Sequence, residues 1–227
     1  MRKQQQGFTL IEIAIVLVII GLLLGGVLKG QELIQNARVR NIISQQDGVK
    51  AAYFGFQDRF RGVPGDYPAA NAIANIPGVA VAGACPIAVC GTAAGVSNGL
   101  IDTNQESITA WFHLSRSGFI TGNYDGVGVA PTLTNTPTNP YGGFMQLIND
   151  IIYQGNAAVA RNNVKTGAGI PATILAEVDR KIDDGNAGTG EFRFSTFSAA
   201  VQACAPLATG VWEVNGGLAN CGAASLF

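Results

Sequence analysis

A single histidine, His113, serves a chain of 227 residues, and charged side chains make up only 13% of it. With one imidazole, far in sequence from every cysteine, there is little from which to build a Cys–His nucleophile pair or a zinc site. The four cysteines, Cys85, Cys90, Cys204 and Cys221, form Cys-x4-Cys and Cys-x16-Cys spacings, neither of them usual for zinc. There is no phosphate-cradling glycine loop, no recognisable nucleophile motif and no internal repeat. These absences point away from an enzyme. A formal net charge of −1 disfavours nucleic acid or an anionic membrane surface as the main partner. A second apolar span is also missing, which excludes a transporter.

What the chain does have is one apolar run near its start. Phe8 to Leu28 carries one charge, Glu12, and follows the short basic segment Met-Arg-Lys-Gln-Gln-Gln-Gly. As a helix rising about 1.5 Å per residue it would span roughly 30 Å, the thickness of a bilayer's hydrocarbon core. A secretory signal peptide would have a shorter apolar core and a small-x-small cleavage site. Here Leu23 and Leu24 precede Gly25 and Gly26, where a small residue is needed. A plain membrane anchor accounts for everything but Glu12. A carboxylate in the apolar zone costs about 2.5–3.5 kcal/mol on insertion scales and is a functional candidate by default.

Gly7-Phe8-Thr9-Leu10-Ile11-Glu12 resembles the processing site of type IV prepilins and type II secretion pseudopilins. The resemblance covers roughly residues 1–60. It implies cleavage by prepilin peptidase between Gly7 and Phe8, N-methylation of Phe8, and a role for Glu12 in assembly. It also implies a homo-oligomeric filament, built with related pilins from subunits waiting in the inner membrane by an assembly ATPase and a platform protein. The charges fit such a use. The new α-amino group at Phe8 and the Glu12 carboxylate of a neighbouring subunit can compensate each other in low dielectric and fix axial register. Many pilins carry a helix-kinking proline where this chain has Lys29.

Charge alone leaves topology open. Arg2 and Lys3 argue for a cytoplasmic N-terminus, but Lys29, Arg38 and Arg40 lie just past the other end of the run. The resemblance and the cysteines place the C-terminal part beyond the inner membrane, in a periplasmic pseudopilus or a cell-surface pilus, because paired cysteines suit an oxidising compartment. Four cysteines allow three connectivities. The local pairs Cys85–Cys90 and Cys204–Cys221 are favoured, the second closing a C-terminal loop as disulfides often do in type IV pilins.

The expected organisation is a leader at 1–7, a membrane-spanning and filament-core helix at 8–28, its amphipathic continuation at 29–61 and a globular domain at 62–227. In the continuation, Val39, Ile42, Ile43, Val49, Ala52, Tyr53, Phe56 and Phe60 form one stripe. The Arg61–Pro68 segment, rich in glycine and proline, ends it. Further helices are expected over Pro68–Ala74, Gln105–Ser117 and Pro171–Asp183, the last burying Ile174, Leu175, Val178 and Ile182. Strands are expected over Gly143–Gln154, Asn156–Val164, Glu191–Ser195 and Val211–Val214. His113 reads as a surface or partly packed helix residue, and the Thr/Pro tract from Thr132 as an exposed loop. The fold class is α+β, a long helix packed on a domain with a small, mainly antiparallel sheet.

Glu177, Asp179, Asp183 and Asp184, followed by Gly185 and Asn186, form the densest acidic cluster. They could hold calcium, as in some major pseudopilins, but the spacing is not that of an EF-hand and an ordinary helix-ending turn is the simpler reading. No cofactor is expected. The function expected is a structural subunit of a type IV pilus-like filament. A pseudopilin of a type II secretion system is the alternative within the family, and a non-polymerising, membrane-anchored binding module the alternative outside it.

Overall fold

The computed structural model describes residues 10–79, 97–155 and 159–227. The chain forms two compact units, Met1–Arg38 and Val39–Phe227. Helix α1, Leu10–Phe60, is continuous for 51 residues.

In the first unit every described residue of α1 is exposed or nearly so, and none is buried. No proline interrupts the helix, and Gly25, Gly26 and Gly30 lie within it. At the position where a kink-forming proline would stand, Lys29 pairs with Glu32 one turn on, Nζ to Oε2 2.7 Å.

In the second unit α1 buries Val39, Ile42, Gln46, Val49, Ala52, Tyr53 and Phe56, at helical spacing along one face. The expected stripe is there, with Ile43 and Phe60 at its half-buried margin. The helix stops after Phe60, where Arg61 enters the left-handed region (φ 55°) and its N–H donates to the Gln57 carbonyl at 2.9 Å.

The remaining elements are α2 (Ala69–Asn75), α3 (Asn104–Arg116), β1 (Gln146–Asp150), β2 (Arg161–Lys165), α4 (Ala172–Ile182), β3 (Phe192–Phe194) and β4 (Ala223–Leu226). Short 3-10 turns at Phe197–Ala199 and Gln202–Cys204 lead to β4. All the strands pair antiparallel in one sheet of order β1-β2-β4-β3. The architecture is thus α+β and pilin-like: a long N-terminal helix followed by a globular part with a small antiparallel sheet.

Two apolar clusters meet the buried face of α1. Val39 and Ile42 pack with Ile174, Leu175 and Val178 of α4, with Phe192, Phe194 and Trp212, and with Cys204 and Cys221. Val49, Ala52, Tyr53 and Phe56 pack with Trp111 and Leu114 of α3 and with Met145, Leu147 and Val164. Helix α3 opens with a reciprocal capping box between Thr103 and Glu106, which satisfies donors at its first turn.

Several expectations are corrected. Val211–Val214 is not a strand. The Glu213 N–H donates to the Cys204 carbonyl (2.8 Å) and the Trp212 indole to Asp179, so the segment is tied to the loop rather than to the sheet. Ile182, at the end of α4, is 41% exposed. His113 is fully buried: it lies against Phe56, and its Nδ1 accepts from the Gly65 N–H at 3.1 Å. The Thr/Pro tract is only partly exposed. Asn135, Thr136 and Asn139 are buried, and Asn139 donates to the Thr166 and Ala168 carbonyls. Strand β4 matches no expected element.

Candidate functional site

In the N-terminal segment, Gly7 and Phe8 lie outside the described residues. Glu12 sits in the first turn of α1, the one charged residue between Leu10 and Leu28. Around it Leu10, Ile11, Ile13, Ile15 and Val16 are 48–89% exposed. Isoleucine, leucine and valine without proline make a stable helix in an apolar setting, but in water such a surface would be a contiguous apolar patch far beyond what soluble monomers carry. Among the described residues α1 is also the one helix long and apolar enough to cross a membrane. The segment therefore needs lipid or other protein around it.

At the other end of the chain, Cys204 and Cys221 are both fully buried and joined as a disulfide, with Cα atoms 5.8 Å apart. The bridge ties the turn after β3 to the residue that pairs with Ile170 just before β4. Cys85 and Cys90 lie outside the described residues.

The acidic cluster is partly assembled. Carboxylate oxygens of Asp179, Asp183 and Asp184 lie within 4.8 Å of one another. Glu177 does not join them; it pairs with Lys181 along α4 (2.6 Å). Each of the three already accepts from its own loop. Asp179 takes the Trp212 indole N–H at 2.6 Å and the Gly185 N–H at 3.1 Å. Asp183 accepts from the Glu191 and Phe192 N–H groups, and Asp184 from the Asn186 N–H and the Thr189 hydroxyl. Burial pushes the Asp179 carboxyl up to about 6, the donors from Trp212 and Gly185 oppose that rise, and the charges of Asp184 and Asp183 add to it. The Thr189 hydrogen bond holds Asp184 below the usual carboxylate range. Oxygen donors of this kind suit a hard cation, and they also close the α4–β3 loop by themselves. The Trp212–Asp179 contact has no sequence signal, since it links residues 33 apart across two loops.

Residues 2–28 match a family model described as the prokaryotic N-terminal methylation motif. No curated protein and no solved structure matches the chain. The matched segment contains Gly7, Phe8, Glu12 and most of the exposed apolar part of α1. That match supports a class III signal peptide of the type IV prepilin and pseudopilin kind at the N-terminus.

Proposed function

We propose that the chain is a structural subunit of a type IV pilus-like filament. Prepilin peptidase cleaves between Gly7 and Phe8, Phe8 is N-methylated, and the subunit waits in the inner membrane with its N-terminus cytoplasmic and residues 62–227 beyond the membrane. An assembly ATPase and platform draw it into the fibre through the first part of α1. Glu12 meets the α-amino group of a neighbouring copy, which compensates both charges away from water. The class is structural rather than catalytic, and neither cofactor nor nucleic acid enters this role. The observation that carries the reading is the unburied apolar stretch of α1 joined to the methylation motif at residues 2–28. A lone anchor would account for the apolar stretch but not for the motif.

A pseudopilin of a type II secretion system is the second reading. Lys29 in place of the usual proline and the carboxylate-closed loop after α4 favour it. Mass spectrometry of the mature protein tests what the two readings share. The expected N-terminus is methylated Phe8; a mature chain retaining Met1–Gly7 would leave a membrane-anchored binding module as the better account. Deleting the genes for each machine in turn separates the two. Loss of surface fibres supports the pilus, and loss of cargo export supports the pseudopilus.

A further inference from the structure

We propose that Asn98 is a self-modification site: the Gly99 backbone nitrogen closes on the Asn98 side chain to give a succinimide, which opens to aspartate or isoaspartate. The chain has two Asn-Gly pairs, Asn98–Gly99 and Asn215–Gly216. Glycine after asparagine hinders such closure least, because no Cβ stands beside the attacking nitrogen. The two pairs are alike in sequence, and the structure sets them apart.

At Asn98 each reacting group has a partner. The Gly99 N–H, whose nitrogen is the nucleophile, donates to Asp66 Oδ2 at 2.6 Å. Asp66 is fully buried, and Ser97 Oγ donates to the same oxygen at 2.9 Å, which holds the carboxylate in place. Asn98 Oδ1, where negative charge develops, accepts from the Leu100 N–H at 2.9 Å. Nδ2, the leaving nitrogen, donates to Asp102 Oδ2 at 2.7 Å. Both ends of the side-chain amide are thus fixed, while Asn98 itself is exposed to the water that the reaction needs. Gly99 has φ 82°, and a Cβ there would meet nothing within 4 Å, so the space around the closing ring is open. The segment is anchored from below. Ile101 is buried, and its carbonyl accepts from the Asn149 N–H of β1 at 2.6 Å.

The Gly99 nitrogen gives its proton to Asp66 Oδ2 and bonds to Asn98 Cγ. The Cγ–Nδ2 bond then breaks. The nitrogen leaves as ammonia after taking a proton from solvent, and the proton on Asp66 is released in its place. Water opens the ring at either carbonyl, so the sum is one water consumed and one ammonia lost. The product places a carboxylate beside Asp102 where an amide had donated, and isoaspartate adds a methylene to the backbone just before the Thr103 cap of α3. At Asn215 this apparatus is missing. Its backbone N–H donates to Glu213, but among the described residues neither its side-chain amide nor the Gly216 N–H has a hydrogen-bond partner.

The test is peptide mapping by mass spectrometry on the full chain in detergent micelles, aged at neutral pH, with isoaspartyl methyltransferase labelling to detect isoaspartate. In the folded wild type Asn98 should deamidate about tenfold faster than Asn215, at the low end of what a positioned base contributes, and unfolding in urea should erase that lead. Asp66→Asn keeps the shape of the side chain but not its basicity. It should slow Asn98 by about tenfold and leave Asn215 unchanged. Equal rates at the two sites in the folded protein, a lead for Asn98 that persists in urea, or an undiminished rate in folded Asp66→Asn would each overturn the proposal. If Asp66→Asn does not fold, the wild-type comparison with and without urea decides alone. None of these outcomes depends on processing or assembly, so the filament reading stands or falls separately.

Discussion

The two parts of α1 share one continuous backbone and meet opposite fates. From Leu10 to Arg38 the helix is dominated by leucine, isoleucine and valine and buries nothing; from Val39 to Phe60 it has fewer apolar residues and buries most of them. Hydrophobicity alone therefore does not mark the core of this protein. Periodicity does. Where polar residues such as Arg40, Gln45 and Asp47 interrupt the apolar ones, the chain has a face to bury against its own sheet and helices. Where apolar residues run all round, burial must come from outside the chain, from lipid or from other protein.

One substitution in α1 and one pair, with a member in each of its two parts, should test that contrast most. Glu12→Leu is expected to leave processing intact and abolish filament yield in shearing assays; a normal yield would remove Glu12 from the assembly role. Phe56→Ala, in the buried part, should cost about 3–5 kcal/mol of unfolding free energy, because Phe56 is fully buried beside Phe60, Tyr67 and His113. Ile19→Ala, 51% exposed in the wild type, should change that free energy by less than about 0.5 kcal/mol. Fluorescence unfolding in detergent can read both, since Trp111 and Trp212 lie one in each apolar cluster. Comparable losses from the two substitutions would refute the division of α1 into a self-buried and an externally buried part.

A smaller effect is expected at the far end of the second unit. Cys204→Ser with Cys221→Ser opens a loop of 17 residues of sequence separation, which should lower stability by about 3 kcal/mol on loop-entropy grounds. The loss should be equal whether or not the first part of α1 is assembled in a fibre. A larger loss in free subunits than in filaments would show that neighbouring copies also brace this loop.

Much of this was legible in the sequence because it is local and periodic. The stripe of α1, the α4 face and the Phe-Arg-Phe alternation of β3 all follow from spacing. What was not legible depends on distant partners. Strand β4 is Ala-Ala-Ser-Leu, buried at every position between β2 and β3, so it shows neither alternation nor the bulky residues that advertise a strand. Val211–Val214 has the β-branched and aromatic residues of a strand, but Trp212 is claimed by Asp179. The full burial of His113, read from the sequence as a surface or partly packed helix residue, depends on a backbone N–H 48 residues away that fills its Nδ1. The motif at Gly7–Glu12 is legible because it is a contiguous signal, whereas the Trp212–Asp179 contact joins residues 33 apart.

The subtlest contrast between the two parts concerns carboxylates. Glu12 is proposed to need a charge from another subunit, whereas Asp179 is fully buried and meets its donors within its own unit. Burial pushes its carboxyl up from the ordinary aspartate range to about 6 in the folded protein. A carboxyl with a raised folded pKa binds protons more readily folded than unfolded, so its contribution to stability is complete below the unfolded value and is lost as pH rises through the folded one. Stability should therefore increase on acidification from pH 7 to pH 5, by on the order of 1 kcal/mol from this group. Asp179→Asn should start lower, because an amide can accept from only one of the two donors on separate oxygens, but its curve over that window should be flat. Calcium or a chelator should move neither curve, since the three clustered carboxylates already accept from their loops. A wild-type midpoint that falls on acidification, or a rise that survives in Asp179→Asn, would mean that Asp179 is not the group that titrates. A midpoint raised by calcium would make the loop after α4 a cation site, and the second unit would then share with the first a dependence on something outside the chain.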